Sequence, residues 1–147
     1  MLKFMKRFLM IFVLGLLLST NAYSKTVELK KCSTSSIKFD PNNYEKKGYV
    51  INTDKSIVQS VRILTNKQYK IQQKKFMEEF GNTQGLNKIN ILNFQIEYSD
   101  NRFVKAVNKR TGQSGAAIEA TLEIDLDDKT VFFKMHQKAK GITFKCK

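Results

Sequence analysis

The chain has 147 residues, with 26 Lys and Arg against 13 Asp and Glu, one His, two Cys and no Trp. A formal net charge of +13 suits anionic surroundings such as phospholipid headgroups, lipopolysaccharide, nucleic acid or acidic polysaccharide. Beyond residue 24, however, only Arg62, Arg102 and Arg110 are arginines, and a generic lysine-coated surface is the stronger reading of the charge alone. One histidine and two cysteines match no closed zinc pattern, and no glycine-rich phosphate loop is present, since Gly81, Gly85, Gly112 and Gly115 have the wrong spacing for one.

The first residues read as a secretory signal. Lys3, Lys6 and Arg7 form a basic head, Phe8 to Leu18 is an apolar run, and Ala22-Tyr23-Ser24 offers small residues where a signal peptidase reads. The run is shorter than the roughly 20 residues that span a bilayer. Residues 1–24 are therefore expected to be a signal peptide, and residues 25–147 a single secreted β domain, periplasmic or extracellular. Export carries a consequence for Cys32 and Cys146. In an oxidising compartment two cysteines form one intramolecular disulfide, and this one ties the start of the domain to its end. Closing a loop of that size stabilises by about 4.7 kcal/mol in the chain-entropy account. A Cα separation of about 4.4–6.8 Å is expected for the bridged pair.

From residue 25 the pattern has period two. Val27 and Leu29 alternate with polar residues, and so do Ile37 and Phe39. In "SIVQSVRIL" the residues Ile57, Val61 and Ile63 share one face. In "ILNFQIEY" Leu92, Phe94, Ile96 and Tyr98 share one. The longest alternation is "AIEATLEIDL", with Ile118, Ala120, Leu122, Ile124 and Leu126 on one side and Glu119, Thr121, Glu123 and Asp125 on the other. Such patterns predict strands with one buried and one wet face. Turn residues separate them at 40–43, 52–55, 99–102, 108–112 and 126–129, with Asp100-Asn101 a candidate two-residue hairpin turn. In the second half, strands are expected near 88–98, 102–108, 116–126, 130–136 and 142–146. Between the two halves, Phe76, Met77 and Phe80 have helical spacing. They predict a helix over 72–80, with Asn66 a candidate cap for an earlier start and Gly81 ending it.

The expected architecture is mainly β, an antiparallel meander forming a barrel-like or strongly curved sheet with one short helix; a two-layer β-sandwich is the alternative. Cys146 shares parity with Ile142 and Phe144, so it should point to the core side of a last strand stapled at its tip. The expected core is Phe94, Ile96, Ile118, Leu122, Ile124 and Phe144, with Glu119, Glu123 and Lys145 exposed.

Candidate chemistry is sparse. His136, at the end of a strand, has no sequence partner for proton transfer. Asp125, Asp127 and Asp128 cluster without the loop length or closing Glu of a calcium hand. Neither a catalytic residue, a metal nor a cofactor is expected, and the chain reads as a non-enzyme. Lys109 and Arg110, placed beside the flexible Thr111–Gly115 stretch, are the candidate anion-binding pair, on the expectation that they stand at a turn tip. An export signal, a small β domain and one terminal disulfide together resemble many small exported bacterial proteins, lysozyme inhibitors among them. That likeness is one of architecture, and repulsion between two basic proteins tells against inhibition of basic lysozymes. The functional expectation is an exported binding protein for an anionic envelope component or an apolar ligand, with a protein-interaction factor such as an inhibitor or assembly accessory as the alternative. A monomer that does not bind nucleic acid is expected.

Overall fold

A computed structural model describes residues 25–135 and 140–147. Strands β1 (Thr26–Leu29), β2 (Tyr44–Asn52) and β3 (Ile57–Leu64) are followed by helix α1 (Asn66–Phe80). Then come β4 (Ile89–Ser99), β5 (Phe103–Thr111), β6 (Ala117–Asp125), β7 (Thr130–Met135) and β8 (Ile142–Lys145). The eight strands pair antiparallel in sequence order, β1 through β8, in one strongly curled half-barrel sheet. The sandwich alternative therefore falls away. A meander of this kind needs only short links, and it curls because every strand twists with the same hand.

The two edges of the sheet meet at one end. Beyond β1 the chain turns at Lys31, which has φ 51°. Lys30 then exchanges backbone hydrogen bonds with Lys147, at 2.9 and 2.7 Å, and Ser33 exchanges them with Lys145, at 2.9 and 2.8 Å. Between these pairs lies the Cys32–Cys146 disulfide, whose Cα atoms are 4.0 Å apart. That is closer than the expected range. The Cys32 amide donates instead to the Lys47 carbonyl, and the Cys146 amide to that of Lys129. The cysteines thus face each other as a non-hydrogen-bonded antiparallel pair, the position where Cα atoms approach most closely. A bond that spans 114 residues of sequence locks the seam where the curled sheet closes on itself. It also fits an oxidising location. Among the described residues no helix is long and apolar enough to cross a membrane.

The concave side holds the core. Ile51, Val58, Phe94, Leu122, Ile124 and Val131 are almost wholly buried there. Register explains why they meet: Ile51 lies opposite Val58, Val58 opposite Phe94, and Ile124 opposite Val131. Residues directly opposite point to the same face. Of the expected core, Phe94, Leu122 and Ile124 are fully buried, while Ile96 and Phe144 pack against the core partly exposed and Ile118, near the strand end, is half-buried. Glu123 and Lys145 are exposed; Glu119 is half-covered.

Several expectations fail, each for a local reason. In β3 the core side is that of Val58, not that of Ile57, Val61 and Ile63. Val58 and Leu64 are buried on one parity and Val61 on the other, so an apolar residue on both faces leaves the pattern ambiguous. Tyr98 does not continue the Phe94–Ile96 face. The pairing slips at Glu97, from Ile96 opposite Ala106 to Tyr98 opposite Lys105, and this bulge turns Tyr98 outward, where it is 55% exposed. Ile37 and Phe39 form no strand, and Ile37 is exposed. The β4–β5 link takes three residues, Asp100 to Arg102, because the Asp100 carboxylate accepts from the amides of both Arg102 and Phe103. His136 lies outside the described residues.

Helix α1 begins earlier than its apolar spacing signals. Its cap is Thr65, not Asn66: the Thr65 hydroxyl accepts from the Gln68 amide at 3.2 Å. Thr65-Asn66-Lys67-Gln68 is a threonine followed three residues later by glutamine, the spacing of a capping box. The Thr65 hydroxyl also donates to the Asn42 carbonyl at 2.7 Å, which fixes the helix start to the turn before β2. At the other end Gly81 takes the left-handed conformation, and its amide closes on the Met77 carbonyl. None of the helix side chains is buried.

Candidate functional site

The candidate site is a half-open cleft of about 390 Å³ on the concave side, between the disulfide seam and strands β2 to β4. Two rows of cross-strand neighbours build it. Lys47, Arg62 and Asn90 form one, through the pairings Lys47 to Arg62 and Arg62 to Asn90. Tyr49, Ser60 and Leu92 form the other. Two residues of strand separate the rows, a distance of about 6.8 Å. Phe144 and Cys32 close the far wall, with the Phe144 ring edge-on to that of Tyr49 at 6.3 Å.

The strands position these groups by parity. Lys47 stands at the same parity as the core residues Tyr49 and Ile51, and Arg62 at that of Val58 and Leu64. Both cations therefore stand on the core-side parity of their strands, Lys47 half-buried and Arg62 exposed. Gly48, which follows Lys47 in β2, is obligatory, since a Cβ there would sit 2.0 Å from the Leu29 carbonyl oxygen; β1 runs too close for any side chain.

Electrostatics sets this pair apart. Some cations elsewhere are matched, though many exposed lysines among the described residues are not; what distinguishes this pair is that the two face each other across adjacent strands. Glu28 holds Lys30 and Lys46 at 3.5 and 3.6 Å, Glu45 holds Lys88 at 3.1 Å, and Asp125 takes a forked contact from Arg102. Among the described residues neither Lys47 nor Arg62 has a carboxylate within salt-bridge distance. Instead like charge faces like charge across the strands, an arrangement that destabilises. Burial first, and then the Arg62 guanidinium, hold the Lys47 ammonium below its ordinary value. Its partial compensation is aromatic: Lys47 Nζ lies 5.2 Å from the Tyr44 ring centre and 5.9 Å from that of Phe144. Burial pushes the Tyr49 phenol up to about 12, against a smaller pull from Ser60, so Tyr49 is a neutral donor at any physiological pH. The chemistry on offer is recognition: two unpaired cations, neutral hydroxyls and an amide, beside an aromatic and aliphatic wall.

The pair singled out from sequence lies elsewhere. Lys109 and Arg110 are not at a turn tip; they are strand residues of β5, opposite Glu119 and Ile118 of β6. The turn itself is 112–116, closed by the Gly112 amide on the Ala116 carbonyl. Adjacent strand residues point to opposite faces, so the doublet cannot act as one patch. The Asp125, Asp127 and Asp128 carboxylates gather around Arg102, at 2.8, 3.7 and 3.4 Å. A second concavity of about 350 Å³ lies on the outer face, among Tyr98, Phe103 and Phe132. Its Tyr98 hydroxyl is already bound to Asp100.

Compared with known proteins, the chain matches no family model, no curated protein and no solved structure.

Proposed function

We propose that the protein is an exported, non-enzymatic binding protein that holds a negatively charged ligand of the cell envelope in the concave cleft, between Lys47 and Arg62. One observation carries this reading: two cations stand opposite each other on the core side of the sheet without a carboxylate partner. Like charges facing each other across strands cost stability, and an anion bound between them would relieve it. The rest of the chain's charge is mostly lysine on the helix, the turns and the outer faces of strands, which bears on solubility more than on recognition.

The test is a nuclear magnetic resonance titration of the oxidised protein with hexanoate and with inorganic phosphate at low salt. The amides of Lys47, Ser60, Arg62 and Asn90 should shift saturably for at least one anion, and Arg62→Gln should weaken the response several-fold. Shifts spread over all the lysines, with none concentrated in the cleft, would reduce the charge to a solvated coat.

A second reading has its own observation. Helix α1 buries none of its side chains and exposes Ile71, Met77 and Phe80, while Ile89 and Ile91 are exposed on β4. Apolar exposure on this scale favours a protein partner. Cross-linking from α1, compared with cross-linking from the cleft, separates the two.

A further inference from the structure

Resting on the anion-binding reading, we infer that the cleft is specific for a single-chain anionic amphiphile, a carboxylate or phosphate head joined to one apolar chain. The cleft is graded along the strands. At one end Lys47, Arg62 and Asn90 offer two charges and an amide. About 6.8 Å further along come Tyr49 and Leu92, while Phe144 and the disulfide flank the cleft from the Lys47 end to Tyr49. A small inorganic ion fills only the first end and leaves the aromatic wall wet. A neutral hydrocarbon covers the wall and leaves two facing cations unpaired, of which the half-buried Lys47 bears a cost without a partner. Only a molecule with a charge at one end and an apolar body beginning within a few Å satisfies both. The volume limits the body: about 390 Å³ is at the low end of small-molecule sites, roughly 300–1,000 Å³, room for one chain and not for a two-chain lipid.

The cleft's walls support the same occupant. Tyr49 is almost fully buried and Leu92 and Phe144 only partly so, so the apolar area still open belongs to the residues that would line a chain. The disulfide pins Cys146, two residues from Phe144, to Cys32 on the same wall, which keeps that wall in place without a ligand. A preformed apolar wall lowers the ordering cost of binding.

The experiment is a series of heads and chains measured by calorimetry and by the cleft amide shifts: acetate, octanoate and dodecanoate below micellar concentration, dodecyl maltoside as a neutral amphiphile, and phosphatidylglycerol vesicles. Affinity should rise about threefold to fourfold per CH₂ along the carboxylates, with a negative heat-capacity change that marks apolar burial. Dodecyl maltoside should bind at least tenfold more weakly than dodecanoate, and vesicles should not saturate the cleft shifts. A flat chain-length response, with acetate as good as dodecanoate, overturns the amphiphile and leaves the anion reading intact. Equal binding of dodecyl maltoside and dodecanoate overturns the anion reading itself. Binding of vesicles without binding of monomers moves the ligand to a membrane surface, against this inference. If no probe shifts the cleft amides, both readings fall.

Discussion

Lys47 of β2 and Arg62 of β3 lie directly opposite each other and on the core side of the sheet. Residues opposite in an antiparallel pair have Cβ atoms about 4.5–5.5 Å apart, and like charges there repel. A fold that needed only a stable sheet would place apolar residues at both positions, as it does at Ile51, Val58 and Phe94. The pair is thus a local departure from the apolar pattern of Ile51, Val58 and Phe94, and departures of this kind are expected at functional or strained sites.

The first prediction follows from that cost. Lys47→Met should stabilise the protein by up to about 1 kcal/mol, the scale on which partly exposed charge interactions act, while weakening anion binding. The sign with pH is fixed by the lowered Lys47 value. Between that value and the ordinary lysine range near 10.4 the unfolded chain binds more protons than the folded one. Stability should therefore rise with pH across this window in the native protein. In the Lys47→Met variant that part of the rise should vanish. Denaturant melts from pH 8 to 11 check both; a destabilised variant would mean that Lys47 holds the fold together.

The second prediction concerns the seam. Replacing Cys32 and Cys146 together by alanine should cost about 2–5 kcal/mol, as loss of a native disulfide in a small secreted domain does. The loss should concentrate at the edges. Amide exchange should speed up at Lys30, Ser33, Lys145 and Lys147, whose mutual hydrogen bonds close the curl, before it does at Leu122 or Ile124. Uniform acceleration across all strands would show that the seam has no separate opening.

How far residue order foretold this structure depends on how one-sided each segment is. In β6 the apolar residues Ala120, Leu122 and Ile124 alternate with Thr121, Glu123 and Asp125, so one burial choice is consistent and the strand is readable. The disulfide was readable from the count of cysteines. In β3 both parities carry apolar side chains, and only pairing with Phe94 selects Val58. The Glu97 bulge has no local sign, because it depends on the register of β5. For the cleft, a signal did exist: Lys47 and Arg62 interrupt the core-side parity of their strands. It is legible only once the faces are assigned, and for β3 the periodicity alone points to the wrong face. Lys109-Arg110 stood out because charges beside glycine suggest a projecting loop; instead the strand runs through them to Thr111.

The third prediction is acid sensitivity at the β6–β7 turn. The Arg102 side chain, chiefly by hydrogen bonding, holds the Asp125 carboxyl below the usual carboxylate range. A carboxylate so held contributes stability above its unfolded value, near 3.9, and that contribution is lost as pH falls through the lower folded value. Melting temperature should therefore drop on acidification below about pH 4 more steeply in the native protein than in Asp125→Asn. Parallel profiles for the two would show that the Arg102 fork is too well solvated to matter.

The fourth prediction tests the core assignment. Leu122 is wholly buried at the centre of β6, between β5 and β7. Leu122→Ala should cost about 2–5 kcal/mol, since the lost contacts and the cavity add. Denaturant midpoints with an unchanged slope measure it, and a change under about half a kcal/mol would place Leu122 outside the core.

The last prediction ranks basic pairs by geometry. Charge reversal of Lys109 and Arg110 to Glu removes two positive charges and adds two negative ones, the same formal change as reversing Lys47 and Arg62. If anion binding follows net charge, the two double variants lose equal affinity and equal salt dependence. The structure distinguishes them. Lys109 and Arg110 alternate between the faces of β5 and neither lines the cleft, whereas Lys47 and Arg62 share one face and one ligand volume. Reversing the cleft pair should therefore abolish dodecanoate binding. Reversing Lys109 and Arg110, which do not line the cleft, should change it less than reversing the cleft pair does, and their exposed charges are partly screened at 0.15 M salt, where the Debye length is about 8 Å. Circular dichroism guards against trivial unfolding, and the conservative pair Lys47→Gln with Arg62→Gln provides a second arm that adds no repulsion. Equal losses in both double variants would return the +13 charge to the role of a diffuse attractant and remove the cleft from the account.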